Sequence, residues 1–68
     1  MKIVSAAKDA VTITISRDDL EFFQSAINET LEALDDKELR IRTGETRERG
    51  RALIQEIKAA VEAIRTYK

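Results

Sequence analysis

Hydrophobic positions near the start of the chain alternate with polar ones. Val11, Ile13 and Ile15 share one face of an extended segment, and two threonines occupy the other face. A period of two with β-branched residues is typical of a half-buried β-strand. We predict a β-hairpin with strands at about 2–6 and 10–15. A lone two-stranded hairpin is not stable in water, so it must pack on a helix, gain a strand or pair with a second copy.

A helical period follows the strands. Apolar residues recur at steps of three and four, namely Leu20, Phe23, Ile27, Leu31 and Leu34. This stripe predicts an amphipathic helix over about 17–34. Ser16 is suited to be its N-cap, and the acidic residues that follow, Asp18 and Asp19, suit the positive end of the helix dipole. Phe22 lies about 120° from the stripe, so either the hairpin or chain end covers it or it belongs to a partner interface.

A second amphipathic helix is predicted after the N-cap candidate Thr46, over about 47–66. Its apolar face comprises Leu53, Ile54, Ile57, Ala60, Val61 and Ile64. A flanking row of small residues comprises Ala52, Ala59 and Ala63. The row reflects the high helix propensity of alanine, or it lets another helix approach closely. Gly50 costs about 0.5–1 kcal/mol relative to Ala in a helix. Either the backbone needs a close approach there, or the helix begins nearer Arg51.

Residues 35–46 connect the two helices. Leu39 and Ile41 allow a short strand, whereas Leu39 and Thr43 allow a helical turn. We favour a short helical turn that ends near Gly44, a residue that can take a positive φ. The whole pattern predicts one α+β domain, with an N-terminal β-hairpin packed on an antiparallel pair of α-helices and a short turn or helical segment between them.

Composition narrows the classes of function. The 68 residues include no Cys and no His, which excludes disulfides, thiolate metal sites and the commonest general base. No Gly-rich phosphate loop is present, and adjacent acidic residues do not face each other on a helix. We therefore expect a non-enzymatic protein with no cofactor and no metal. The lack of Cys and of a long apolar run favours a cytoplasmic location, with no membrane contact.

The net charge of −1 hides an asymmetry. Residues 1–36 contain three basic and eight acidic residues and have a net charge of −5. Residues 37–68 contain nine basic and five acidic residues and have a net charge of +4. Five arginines are candidates for binding a partner or an anion: Arg40, Arg42, Arg47, Arg49 and Arg51. Three interpretations stand: a solvated segment neutralised by acidic residues, docking to an acidic protein, or nucleic-acid binding. Arginines at a helix start oppose the dipole unless an anion or acidic group compensates.

The nucleic-acid interpretation has a specific form. The segment from Leu39 to Leu53, with Gly44 in the turn, resembles a helix-turn-helix register. It departs from that register at Arg40, where a small residue is usual, and at Gly50, where a buried aliphatic residue is usual. The isoelectric point of about 5.4 also differs from the basic footprint of DNA-binding domains. A small nucleic-acid-binding regulator is therefore the alternative hypothesis.

Three segments together resemble a known group of proteins: ISRDDLEFF, SAINETLEAL and RTGETRERGRALIQEI. They are similar to small, mostly uncharacterised bacterial proteins with a strand, a helix of the "ALNE" kind and a "TRLG-S-REE" segment before a last helix. The resemblance covers about residues 11–64 and departs at Gly50. Members have been considered immunity-like, meaning that they neutralise a partner protein. The resemblance implies a binding or regulatory protein and brings no catalytic residues.

These observations together predict a protein-interaction module that self-associates as a homodimer. A core of this size is marginal without help, and neither disulfides nor thiolate metal sites are available to supply it. The lone hairpin and the split charge both favour a partner, either a second copy or another protein. The candidate interface residues are Phe22, Ala52, Ala59 and Ala63.

Overall fold

The computed structural model describes residues 1–67. In chain order the elements are β1 (Lys2–Ala6), β2 (Val11–Thr14), α1 (Arg17–Ala33), α2 (Asp36–Thr43) and α3 (Arg47–Arg65). The predicted α+β class is confirmed, with an N-terminal antiparallel hairpin ahead of the helices. The connector between α1 and α3 forms a helix of eight residues. The prediction of a short helical segment there, rather than a strand, is confirmed.

Local side-chain chemistry defines where the helices begin and end. The N-caps are Ser16, Asp35 and Thr46, whose side-chain oxygens accept a hydrogen bond from the backbone N–H three residues later, at 3.2, 2.8 and 3.2 Å. Such caps satisfy N–H groups that have no partner within the helix. At the end of α2, Gly44 adopts a φ of 76°, a left-handed conformation that glycine takes without a Cβ clash. The predicted caps Ser16, Thr46 and Gly44 are thus confirmed.

Helices α1 and α3 pack side by side and run antiparallel. The C-terminal part of α1 meets the start of α3 at Leu31 and Gly50, while Gln24 and Val61 border one surface pocket towards the opposite end. A Cβ placed on Gly50 would lie 2.9 Å from a methyl carbon of Leu31. Because α3 already begins at Arg47, a helix start near Arg51 is excluded, and the space beside Gly50 is taken by the side chain of Leu31 from α1.

The two strands pair in a register that contains a bulge. Ile3 lies opposite Ile13 and Ala6 lies opposite Val11, with an irregularity between Ile3 and Ser5. Without the bulge, a period of two would place Ser5 on the same face as Ile3. The extra residue moves Ala6 to that face instead. The result is an apolar hairpin face, a name used below for Ile3, Ala6, Val11 and Ile13.

The packing of the hairpin differs from the prediction. Every residue of β1 and β2 is exposed, so the hairpin does not cover the helical pair within the chain. Only Ile15 and Ser16 link β2 to α1, and Ser16 is extended. This short link leaves little slack for the hairpin to fold back over the helices. The alternating pattern thus predicted the strand and its apolar face correctly, whereas the packing of that face on the helices is not observed.

The fold as a whole is thin and its core is small. The chain extends 41 × 30 × 16 Å, and the shortest dimension is little more than the diameter of one helix. Within residues 1–67, the buried apolar residues are Leu39, Ile54 and Val61. Stable domains usually consist of two packed layers around a core. This chain therefore forms one layer of helices with a projecting hairpin.

Candidate functional site

The five candidate arginines are only partly brought together, and Arg47 is the least exposed of them. Its guanidinium group donates hydrogen bonds to the backbone carbonyls of Leu31 and Leu34. Its Nε also lies 2.8 Å from a carboxylate oxygen of Asp36. The side chain is only 24% exposed. The geometry therefore assigns Arg47 to the junction of the three helices and leaves it with little surface for a partner.

The position of Arg47 also resolves an electrostatic difficulty. Helix α1 has no basic residue in its last turn, although its final carbonyls carry partial negative charge. Arg47 brings a positive charge to these carbonyls from the start of α3. The group that compensates an arginine at the positive end of α3 is thus the negative end of α1, together with Asp36. The sequence signal for this contact was the missing basic residue in α1.

The other four arginines do not all share one surface. Arg42 pairs with Glu38 at 2.9 Å along the exposed side of α2. Arg40 and Arg51, together with Arg47, line a shallow pocket that Asp36 and Glu48 also line. Arg49 instead lines a groove on the other side of α3. Among residues 1–67, Arg40, Arg49 and Arg51 have no ion-pair partner.

The four candidate interface residues are exposed, but they are not brought together. Phe22 is 70% exposed and packs edge to face only against its neighbour Phe23, so the expectation that the hairpin covers it is wrong. By helical phase, Phe22 lies on the side of α1 that faces away from α3. Ala52, Ala59 and Ala63 are likewise exposed, on the side of α3 that faces away from α1. These residues therefore occupy opposite edges of the layer.

A groove opens between α1 and α3 on one face of the layer. Its volume is about 320 Å³. Its lining includes Ala26, Ile27, Thr30, Leu31, Leu39, Gly50 and Leu53. Thr43, Glu45, Thr46 and Arg49 form a polar end. We call this feature the apolar groove. It exists because Gly50 has no side chain and because α2 closes one end with Leu39.

The opposite face of the helical layer is polar. Two shallow pockets there are lined mainly by charged and amide side chains, including Glu21, Gln24, Glu32, Arg51, Gln55, Lys58, Glu62 and Arg65. The difference between the two faces follows from the helix period, which places the apolar stripes of α1 and α3 partly on the groove side. One face of the layer is therefore suited to water and the other to a packing partner.

The apolar hairpin face is the second unpartnered surface. Ile3 is 68% exposed, Val11 54% and Ile13 38%. Side chains directly opposite in an antiparallel pair lie close enough to form one patch. The sequence pattern predicted an apolar face for Val11 and Ile13 but assigned it to the core. The exposed face and the apolar groove are thus surfaces that sequence reasoning did not single out as sites.

Residues 1–67 contain no cluster of three or more acidic side chains arranged to hold a metal ion. No helix among them is long and apolar enough to cross a membrane. Polar groups in the apolar groove are confined to one end. The apolar groove therefore provides mainly apolar contacts, with the charged side chains of Glu45 and Arg49 at one end.

Comparison with known proteins gives no family assignment. No protein-family model, curated protein or solved structure matches the chain.

Proposed function

We propose that this chain is a non-enzymatic, cytoplasmic protein-interaction module that self-associates as a homodimer. The observation that carries the proposal is its excess of exposed surface. The accessible surface is 5706 Å², whereas a compact monomer of 7.7 kDa exposes about 4300 Å². The difference, roughly 1400 Å² per chain, exceeds the roughly 800 Å² that each partner loses in a standard interface.

The shape of the chain supports the same conclusion. The radius of gyration is 13.7 Å, and a compact domain of 68 residues has about 11 Å. A single layer of helices leaves the apolar groove on one of its faces in water, and a second layer on that face would cover it. A second copy supplies that layer with the same apolar surfaces. The resemblance to small, mostly uncharacterised bacterial proteins that have been considered immunity-like is compatible with a further protein partner on the surfaces that remain free.

The experiment for this proposal is urea unfolding at several protein concentrations. Folding coupled to association makes stability depend on protein concentration. We expect the midpoint to rise steadily when the concentration is raised about a hundredfold. A midpoint that is the same at every concentration would contradict self-association, because a folded monomer has no such dependence.

Nucleic-acid binding gains less support from the geometry. Arg47 is engaged with α1, Arg42 is paired with Glu38, and Arg49 lies on a different side of α3 from Arg51. Affinity for a phosphate backbone depends on several cations along one surface. We therefore keep self-association as the proposed function.

A further inference from the structure

The apolar hairpin face and the apolar groove are both uncovered in one chain, and they differ in shape. The hairpin offers a protruding, roughly flat patch around Ile3 and Ile13. The groove offers a concave patch between α1 and α3. Packing a two-stranded sheet face onto two helices is the ordinary layer arrangement of α+β domains. The two surfaces are therefore complementary in kind.

In this structure the hairpin leaves the groove of its own chain open, because every residue of β1 and β2 is exposed. Leu31, which lines the groove, lies about 22 Å along the axis of α1 from Ser16, at a rise of 1.5 Å per residue. The groove of one chain is therefore available to the hairpin of another.

We infer that two copies exchange hairpins, so that the apolar hairpin face of each chain packs into the apolar groove of the other. This inference rests on the proposed self-association and adds its geometry. The reciprocal exchange covers both apolar surfaces of both chains with one twofold arrangement. Packing groove against groove would leave both hairpin faces in water, and pairing hairpin with hairpin would leave both grooves open.

Charge is compatible with this exchange. The turn at the tip of the hairpin carries Lys8 and Asp9, and the polar end of the groove carries Glu45 and Arg49. Each surface thus presents one charge of each sign.

The test is complementation between two variants. Ile13→Asp places a charge on the apolar hairpin face, and Leu53→Asp places one in the groove. Gln55→Asp, on the polar face of the helical layer, and Thr12→Asp, on the other hairpin face, are matched controls. Light scattering after size exclusion measures the mass of each protein alone and of equimolar mixtures.

Hairpin exchange predicts a specific pattern of masses. Wild type, Gln55→Asp and Thr12→Asp are dimers, whereas Ile13→Asp and Leu53→Asp are monomers. Their mixture recovers dimers, because the intact hairpin of one variant fits the intact groove of the other. A dimeric Ile13→Asp protein, or two folded variants that do not associate when mixed, would overturn the exchange. A monomeric wild type would instead overturn the proposed function itself.

A second measurement covers variants that do not fold. In wild type mixed from ¹³C-labelled and unlabelled chains, a filtered nuclear Overhauser experiment detects only contacts between chains. We expect contacts between the methyl groups of Ile13 or Val11 and those of Leu31 or Leu53. Contacts between chains that join Leu53 to Leu53, with none to the hairpin, would reject the exchange and leave self-association standing.

Discussion

At the scale of single residues, Arg47 joins three helices through one guanidinium group. It donates to two carbonyls at the end of α1 and pairs with Asp36 at the start of α2. Hydrogen bonds that involve a charged group contribute about 1.5–3 kcal/mol each in favourable cases, and a carbonyl left unsatisfied adds a penalty. Because the side chain is mostly covered, solvent screens these contacts only in part.

We therefore expect Arg47→Leu to lower the free energy of unfolding by about 2 kcal/mol, since it keeps the bulk but removes the donors. Urea unfolding at a fixed protein concentration measures the change. The matched control is Arg51→Leu, one turn along the helix and without an ion-pair partner in residues 1–67, which should change stability by less than about 0.5 kcal/mol. Equal losses in both variants would remove the special role of Arg47.

Gly50 is the other residue with a defined structural role. A Cβ there would lie 2.9 Å from a methyl carbon of Leu31. Larger side chains would push α3 away from α1 and fill part of the apolar groove.

We expect Gly50→Leu to lower the free energy of unfolding by about 2 kcal/mol, a typical result of overpacking. Gly50→Ala should change it little, because the gain in helix propensity offsets the contact with a flexible methyl group. Ala52→Leu, on the exposed edge of α3, serves as the control and should be nearly neutral. A higher free energy of unfolding for Gly50→Leu would contradict the close contact between Gly50 and the Leu31 side chain.

At the scale of elements, the hairpin depends on contacts outside itself. Two strands without a covering layer are not stable in water, and every residue of β1 and β2 is exposed within one chain. Helices α1 and α3, by contrast, pack on each other.

Amide hydrogen exchange at high and low protein concentration tests this difference. Because dimer formation covers the hairpin, we expect the backbone amides that pair β1 with β2 to gain much more protection at high concentration than those in the middle of α1. The amides of α1 act as an internal control in the same sample. Equal hairpin protection at both concentrations would mean that the strands are stable without a partner.

The parts of the fold that sequence could predict are local. Ser16, Thr46 and Gly44 act within a few residues of their position, so their chemistry fixes helix boundaries directly. The partly buried position of the Arg47 guanidinium depends on carbonyls 13 and 16 residues away along the chain. From the sequence alone, Arg47 could not be distinguished from the other four arginines of the cluster. The apolar pattern of Val11 and Ile13 predicted the strand and its apolar face, but a pattern in the sequence does not show what that face packs against.

At the scale of the whole molecule, the basic side chains of residues 1–67 are interspersed with acidic ones. Arg40, Arg47 and Arg51 line one pocket together with Asp36 and Glu48, whereas Arg49 lines the apolar groove. The acidic first half lies against the basic second half through α1 and α3.

We therefore expect no measurable binding of labelled duplex or single-stranded DNA by fluorescence anisotropy, even at about 50 mM salt. Non-specific phosphate contacts would be strongest under these conditions. Binding that weakens steeply as salt is added would support the nucleic-acid alternative. In that case, Arg40→Gln and Arg51→Gln should reduce the affinity, whereas Arg42→Gln should have less effect because Arg42 is already paired with Glu38.

We expect one chain to be half of a folded unit. Sedimentation equilibrium over a wide concentration range gives the mass in solution without any assumption about shape. The expected mass is twice that of the 7.7 kDa chain, with dissociation only on strong dilution. The mass of a single chain at every concentration, from a sample with native helical content, would rule out the dimer.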